Sequence, residues 1–541
     1  MALATSPTTG FTVPEVVFYF DVVCPYAFIA SERLPDVIRF TGANVTWKPV
    51  VLGALYGMTQ APQGKDGSAT DVYAPAKRAL AAVDFQRESK RYGLPIKFHP
   101  DHPVRSVDAG RLLCAFPNEH RGTLAREIFR AYFFDNANIS SRATLLRIAR
   151  NLKLTSVATP THAGPFSLSP TLSFQLDESV FSDVNREDQL RANTQEAFER
   201  GAFGVPSFYI PSREKLFWGQ DRMVLLEAEL ISIKLNKPVE SIRQLERLHP
   251  RCLRTGRESR KRHLKFWFDF SSPWSYLAWS QFERIQRESG PGLTIELVPF
   301  LLGALFKGIG TPMVPMESMS EARRKYNMQD LQDWNRYWTA VNAQEYPPIE
   351  GPSMAWPDEF PIRSVTALRV ALLEVKSSYT NLMTKNKVLI LSIIIPLQPK
   401  TIPCLFRAAW RHNRRISDDQ VVVEVLTAAG FDGKTLVARS LAAKDQLRHN
   451  TEQAQALGLC GAPTFQFKDQ LVFGGDRINV VQDLVLGWSV TSLVLSPERS
   501  KLKASVAGFA HFDCKLPSPP CLGKVRAFKL TLDIFGPLGC V

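Results

Sequence analysis

One block of motifs occurs twice in this chain, in the same order and at an offset of roughly 250 residues, far beyond the 20–50 of a solenoid unit. Phe18-Tyr19-Phe20-Asp21 returns as Phe266-Trp267-Phe268-Asp269. Pro103-Val104-Arg105-Ser106 returns as Pro361-Ile362-Arg363-Ser364. Gly204-Val205-Pro206-Ser207-Phe208 returns as Gly461-Ala462-Pro463-Thr464-Phe465, and Trp218-Gly219-Gln220-Asp221-Arg222 as Phe473-Gly474-Gly475-Asp476-Arg477. This is a duplicated domain, and the positions kept in both copies are those the fold or the chemistry needs. A length of 541 residues suits two large domains, each able to bury its own core.

Each copy opens with an aromatic and β-branched strand, 16–21 or 264–270. Pro25 or Pro273 follows, suited to the first turn of a helix, where its missing N–H costs nothing. Apolar residues at helical spacing come next, so Cys24 and Ser272 fall at a strand-to-helix junction. A second strand is expected over 45–52 and 293–301. The middle of each copy reads as amphipathic helices, and the end as strand, turn, strand and a last helix. The fold class is therefore α/β: a thioredoxin-like fold with an inserted helical subdomain, duplicated in tandem. The domains run over 12–235 and 263–489, with a basic linker over 236–262 whose densest run, 251–261, reads as solvated, and a tail over 490–541 that has no partner in the first copy and reads as unstructured or as a further gene-model error. Two stretches break the pattern. Residues 155–173 are rich in Ser, Thr and Pro and read as a loop insertion. Residues 377–403 interrupt one helix of the second copy and read as a retained intron or a gene-model error.

Composition narrows the function. The net charge of +14 suits an anionic small ligand, and no zinc-finger or RNA-binding pattern accompanies it, so nucleic acid is not an expected partner. No metal-ligating set stands out. Eight cysteines without a C-x-x-C pair are no disulfide framework, which points to a reducing compartment, with the cytoplasm as the expected setting and mitochondria or peroxisomes left open. The N-terminus lacks the basic and apolar regions of a secretory signal. The longest apolar run, 388–397, is about half a membrane span.

Candidate chemistry gathers at the repeated motifs. A thiol at a helix start meets free N–H groups, so Cys24 is expected to carry a lowered pKa and to act as nucleophile or redox thiol. Ser272 occupies the same slot in the second copy, where a hydroxyl can hydrogen-bond a ligand thiolate but cannot do redox chemistry. Val205-Pro206 and Ala462-Pro463 open strands and point to turns, a cis bond being one form, whose free backbone groups suit a peptide-like ligand. Gln220-Asp221 and Gly475-Asp476 open the last helix, where a carboxylate is either a cap or a partner for a ligand ammonium. Arg105 and Arg363 read as solvated or carboxylate-paired. Lys77 with Arg78, and Arg324 with Lys325, form either a charged helix face or an arm toward an anionic substrate. Trp334, Tyr337 and Trp338 line a pocket or belong to the core.

These motifs carry a resemblance. The chain looks like two fused copies of the DsbA-like thioredoxin family, in the branch of 2-hydroxychromene-2-carboxylate isomerase and kappa-class glutathione transferase. The match rests on the run around Ser272, on Pro299-Phe300-Leu301-Leu302-Gly303, on Pro361-Ile362-Arg363-Ser364, on Gly461-Ala462-Pro463 and on Gly474-Gly475-Asp476-Arg477. It implies glutathione as cofactor, its thiol activated at Ser272, its cysteinyl backbone bound beside Pro206 or Pro463 and its γ-glutamyl end held by Asp221 or Asp476. It implies isomerase or transferase activity on an aromatic or electrophilic small molecule, and pairing as a homodimer or between the two copies of one chain. The first copy departs: Cys24 replaces serine, and Ala27 stands where a second redox cysteine would. A thiol–disulfide oxidoreductase using Cys24 is the alternative, and a non-catalytic scaffold the third reading.

Overall fold

The computed structural model describes residues 12–65, 67–68, 70–152, 176–253, 261–384 and 401–488, with the backbone only for 375–384. Two four-stranded sheets form, one per copy. The first is built from β1 (Glu15–Phe20), β2 (Asn44–Pro49), β3 (Ser207–Ile210) and β4 (Lys215–Trp218), in the order β2-β1-β3-β4. The second uses β5 (Arg262–Phe268), β6 (Leu293–Pro299), β7 (Thr464–Phe467) and β8 (Gln470–Phe473), in the order β6-β5-β7-β8. β1 runs parallel to β2 and antiparallel to β3, and β5 treats β6 and β7 alike. A parallel pair needs a crossover, and the helix Pro25–Thr41 supplies it in the first copy. In the second copy the crossover is split into Pro273–Trp279 and Phe282–Ser289. Ser280 sits at the break, its hydroxyl bonding the Leu277 carbonyl at 2.7 Å in competition with the helix ladder.

The central strands read as unbroken apolar runs because both their faces are covered. Phe18 pairs in register with Trp47 on one side and Phe208 on the other, and Phe266 with Leu297 and Phe465. The second strands end earlier than the sequence suggests. At Leu52 and Leu302 the chain turns into the short helices Leu52–Met58 and Leu302–Ile309. The cause is a buried carboxylate that captures the backbone N–H of each of these residues.

The copies pack against each other reciprocally. The helix Pro75–Arg91 of the first copy lies on β8, where Arg87 Nη1 donates to the Leu471 carbonyl at 2.7 Å. The helix Glu321–Ala343 of the second copy lies on β4, where Gln329 Nε2 donates to the Leu216 carbonyl at 2.7 Å. The Tyr326 hydroxyl accepts from Trp218 N at 2.9 Å and donates to Trp218 O at 3.2 Å. The β4 edge of one sheet and the β8 edge of the other are thus each bonded by the other copy's long helix, which covers strands that could otherwise pair with another chain.

The start of the basic run, Arg251 and Cys252, is not solvated but held in the fold. The Arg251 side chain is 0% exposed, with Nε 2.7 Å from Asp483 Oδ1 and Nη1 2.8 Å from Glu288 Oε1. Asp483 also accepts from Cys252 N at 2.8 Å and from Arg91 Nη1 at 2.9 Å. One buried carboxylate therefore ties the connection to both copies, and burial among partners overrides the polarity of the sequence. Residues 254–260 of that run lie outside the described residues, as do 155–173 and the tail beyond 490. Within the 377–403 insert, 377–384 continue the helix Val365–Thr384, and 401–403 start the helix Thr401–Trp410. Thr401 N bonds Glu374 Oε2 at 2.9 Å, so the described flanks of the insert meet. Among the described residues no helix is long and apolar enough to cross a membrane.

Candidate active site

Cys24 and Ser272 occupy matching positions. Each has extended backbone (φ −89°, ψ 115° and φ −96°, ψ 116°) and precedes a proline in the first helical turn. Each points at the carbonyl before a proline: Cys24 Sγ lies 3.3 Å from Val205 O, and Ser272 Oγ lies 2.8 Å from Ala462 O. Both of these peptide bonds, Val205-Pro206 and Ala462-Pro463, are cis. The side chains differ in what they cap. Ser272 Oγ accepts from Ser275 N at 3.2 Å, whereas the Cys24 sulfur makes no capping bond.

The expected lowering of the Cys24 pKa does not occur. Burial pushes the thiol up to about 12, against the smaller opposing pull of the Ala27 and Tyr26 N–H groups. A thiolate here would lose its hydration with too few donors to replace it, so desolvation outweighs the helix start.

Two residues missed in the sequence set this junction. Asp21 is buried at the end of β1 and accepts from Leu52 N at 2.9 Å, Ser106 Oγ at 3.1 Å and Val23 N at 3.3 Å. Asp269 does the same with Leu302 N at 2.8 Å, Ser271 N at 2.9 Å and Ser364 Oγ at 2.5 Å. Their own carbonyls accept from Cys24 N and Ser272 N. The serine that ends each Pro-x-Arg-Ser motif is therefore the part that reaches the site. The arginines do not: Arg105 is exposed, and Arg363 bonds Ser417 O at 3.3 Å. The signal was in the sequence, since the Asp and the Ser are both repeated. Burial raises the pKa of both carboxyl groups, with the backbone N–H and serine bonds opposing it.

Asp221 and Asp476 meet at the seam between the copies. Asp221 Oδ2 lies 2.6 Å from Arg222 Nη1 and 2.6 Å from Arg477 Nη1, and Asp476 Oδ2 lies 2.5 Å from Arg222 Nη1. Asp330 and Asp84 close the network, 2.7 Å from Arg222 Nη2 and 3.2 Å from Arg477 Nη2. Burial opposes ionisation of Asp221, but the two guanidinium groups hold its carboxyl below the usual range. The preceding glycines serve this fold. Gly219 (φ +104°) and Gly474 (φ +110°) occupy backbone that only glycine adopts freely, and a Cβ on Gly219 would lie 2.5 Å from Asp221 Oδ1. A Cβ on Gly475 would extend the other way from the turn, 2.5 Å from the Trp274 carbonyl, so it lies beside the helix that Ser272 caps. Gln220 donates through Nε2 to Glu88 at 3.2 Å, while its Oε1 is buried with no partner.

Trp334, Tyr337 and Trp338 are core rather than a pocket lining, each at most 1% exposed, with the His249 ring against both tryptophans. Arg78, Arg324 and Lys325 are exposed.

A thioredoxin-like sheet, a serine or cysteine at the first helix start and a facing carbonyl before a cis-proline define a thioredoxin-fold protein. A family model described as DSBA-like thioredoxin domain matches residues 15–163, 263–342 and 375–485. The chain belongs to that family. It is similar to glutathione S-transferase kappa 1 of Caenorhabditis elegans, 28% identical over 232 residues, covering 41% of this chain and 90% of that protein. It is also similar to 2-hydroxychromene-2-carboxylate isomerase of Sphingobium xenophagum, 23% identical over 220 residues, covering 40% of this chain and 96% of that protein. A solved structure of a 2-hydroxychromene-2-carboxylate isomerase matches at 19% identity and TM-score 0.32, covering 40% of this chain and 94% of that one.

Proposed function

We propose that this chain is a glutathione-dependent isomerase or transferase acting on an aromatic or otherwise electrophilic small molecule, with Ser272 at its centre. In this reading the domains are 12–235 and 263–489, joined by 236–262 and followed by the 490–541 tail, in a reducing compartment. The observation that carries it is the Ser272 hydroxyl, buried, fixed by the Ser275 N–H and with its single proton directed at Ala462 O. A hydroxyl donates one hydrogen bond, so a small rotation redirects that proton to a thiolate. The relatives' names supply the thiol: glutathione, whose thiolate when bound is the nucleophile toward an electrophilic carbon.

The chain's own residues fit parts of that ligand. Ser272 would keep the thiolate ionised by donating to it. The backbone around Pro463 would pair with the cysteinyl unit. In the first copy, Val205-Pro206 would do the same, and the unpartnered Gln220 Oε1 would accept from an ammonium. Asp221 and Asp476 are already bonded to Arg222 and Arg477, so they would serve the γ-glutamyl end only by sharing those partners.

Turnover with glutathione and an electrophilic aromatic substrate tests the reading. Ser272→Ala should lower it by about 10²–10³, the size of losing one preorganised donor, and Cys24→Ala should leave it nearly unchanged. Full retention in Ser272→Ala sinks the reading. Oxidoreductase chemistry at Cys24 has one observation in its favour, the matching position of its sulfur against Val205 O. It predicts glutathione-dependent reduction of a small disulfide that disappears in Cys24→Ser.

A further inference from the structure

A cavity of about 500 Å³ opens on the helical subdomain of the second copy, and its lining includes neither Ser272 nor Pro463 nor Asp476. Glu359, Arg363, Thr366, Arg415, Asp418 and Asp419 form most of its wall. Arg415 pairs with Glu359, so these two cancel. Arg363 has no carboxylate partner among the described residues, and its Nη2 donates only to the Ser417 carbonyl, at 3.3 Å. Asp418 caps the helix Asp419–Ala428 through Oδ1, which accepts from Gln420 N at 2.8 Å. Neither Asp418 nor Asp419 pairs with a cation among the described residues. Arg363 and the two acids thus line one space, too far apart to neutralise each other, and all three are exposed, open to a dissolved ligand.

The first copy shows what closes this place. Counted from the shared Pro-x-Arg-Ser motif, Thr366 corresponds to Asp108. Counted from the caps Ser141 and Asp418, each of which accepts from the first turn of its helix, Asp419 corresponds to Arg142. In the first copy those two residues bond, Arg142 Nε to Asp108 Oδ2 at 2.8 Å, with Arg111 Nη1 3.5 Å from Asp108 Oδ1. In the second copy the acid has become a threonine and the cation an acid, so the bridge cannot form. The gap keeps one unmatched positive charge and two unmatched negative ones. Adjacent carboxylates repel, and a cation beside them relieves that repulsion. Among the described residues no three acid, cysteine or histidine side chains are grouped as metal ligands, which points to an organic cation. The free guanidinium suits a carboxylate on the same ligand. One carboxylate with two cationic groups is the charge pattern of a basic amino acid, and the volume is that of a small-molecule site.

We propose that this cavity binds a free basic amino acid, with its carboxylate on Arg363 and its ammonium and side-chain cation on Asp418 and Asp419. The site stands apart from Ser272 and is built whether or not glutathione binds.

The test is calorimetric titration of the full chain with L-arginine, with no glutathione present. One site per chain is expected. Agmatine, which lacks the carboxylate, and N-acetyl-L-arginine, which lacks the ammonium, should each bind at least about tenfold more weakly. Arg363→Gln and Asp419→Asn should each weaken L-arginine by about tenfold or more, while Arg105→Gln, at the same position of the first copy, should not. Thr366→Asp combined with Asp419→Arg rebuilds the first copy's bridge and should abolish binding. Circular dichroism and thermal unfolding establish that the variants are folded. No binding of L-arginine, equal binding of agmatine, a loss as large in Arg105→Gln, or retained binding in the rebuilt variant overturns the proposal. Equal binding of N-acetyl-L-arginine overturns the free amino acid in favour of a peptide that ends in arginine. Because glutathione is absent, none of these outcomes bears on Ser272.

Discussion

Arg477 of the second copy reaches Asp221 of the first, Nη1 to Oδ2, at 2.6 Å. That bond crosses the seam and ties together two turns that occupy equivalent places in the repeat. Removing either partner breaks this charged bond while Asp221 keeps Arg222 and Arg477 keeps Asp84, so the cost is that of one charge-assisted bond, about 1.5–3 kcal/mol. Asp221→Ala and Arg477→Ala should each lower stability by that order in urea unfolding. The double variant should lose less than the sum, with a coupling above about 1 kcal/mol. Strict additivity would remove this pair from the account of how the copies hold together.

Asp483 holds the connection between the copies. It is fully buried and gathers Arg91, Arg251 and the Cys252 N–H. Asp483→Ala takes the shared carboxylate from two buried guanidinium groups, leaving Arg251 with Glu288 and Arg91 with Glu88, and should destabilise by about 3–5 kcal/mol. Urea unfolding checks it, and a loss under about 1 kcal/mol, the usual scale of exposed pairs, would show that the connection is held elsewhere.

Glu227 gives a pH dependence. Burial raises its carboxyl to about 7, with Arg33 opposing and Asp36 adding to the shift. The folded state then holds this proton to higher pH than the unfolded state does, so its contribution to stability falls between about pH 4.5 and pH 7 and is flat above. Glu227→Gln removes the decline. Relative to the parent chain it should gain about 2–3 kcal/mol at pH 8 and little at pH 4.5. Thermal unfolding at the two pH values reads this out, and an equal effect at both would contradict it.

Cys24 should be a slow thiol. With its pKa near 12, its thiolate fraction stays small through the neutral range. Alkylation by iodoacetamide at pH 8, followed by peptide mass spectrometry, should modify Cys24 at least about tenfold more slowly than free cysteine, whose pKa is near 8.5. A rate equal to or above that of free cysteine would favour the oxidoreductase reading.

The order of strands and the two helix starts were legible because motif identity and hydrophobic pattern agree there: Phe18 to Phe20 and Phe266 to Phe268 sit at the centre of each sheet, buried on both faces. The helices Val184–Glu199 and Lys444–Ala456 were not read, because their residues are largely polar and few are buried. The placement of Cys24 and Ser272 at the two helix starts was legible from position alone. The roles of Asp21 and Asp269 were hidden because a buried carboxylate looks like any acid until its N–H partners are folded around it. The Arg222 and Arg477 network was hidden for a related reason: its partners Asp84 and Asp330 lie on the opposite copy. Spacing along one chain does not report contacts across a seam. The same limit explains why Arg323, rather than its exposed neighbours Arg324 and Lys325, is the cation that stands over Phe203 and Trp218 of the first copy.

The most direct test of the central claim is the thiol pKa of glutathione bound to the folded chain, read from thiolate absorbance near 240 nm as pH rises, in the parent chain and in Ser272→Ala. A donated hydrogen bond to the thiolate should lower that pKa by about 1–2 units in the parent chain, and the shift should vanish in Ser272→Ala. An unshifted thiol in the parent chain, or the same shift in both proteins, would contradict Ser272 as the group that holds the thiolate.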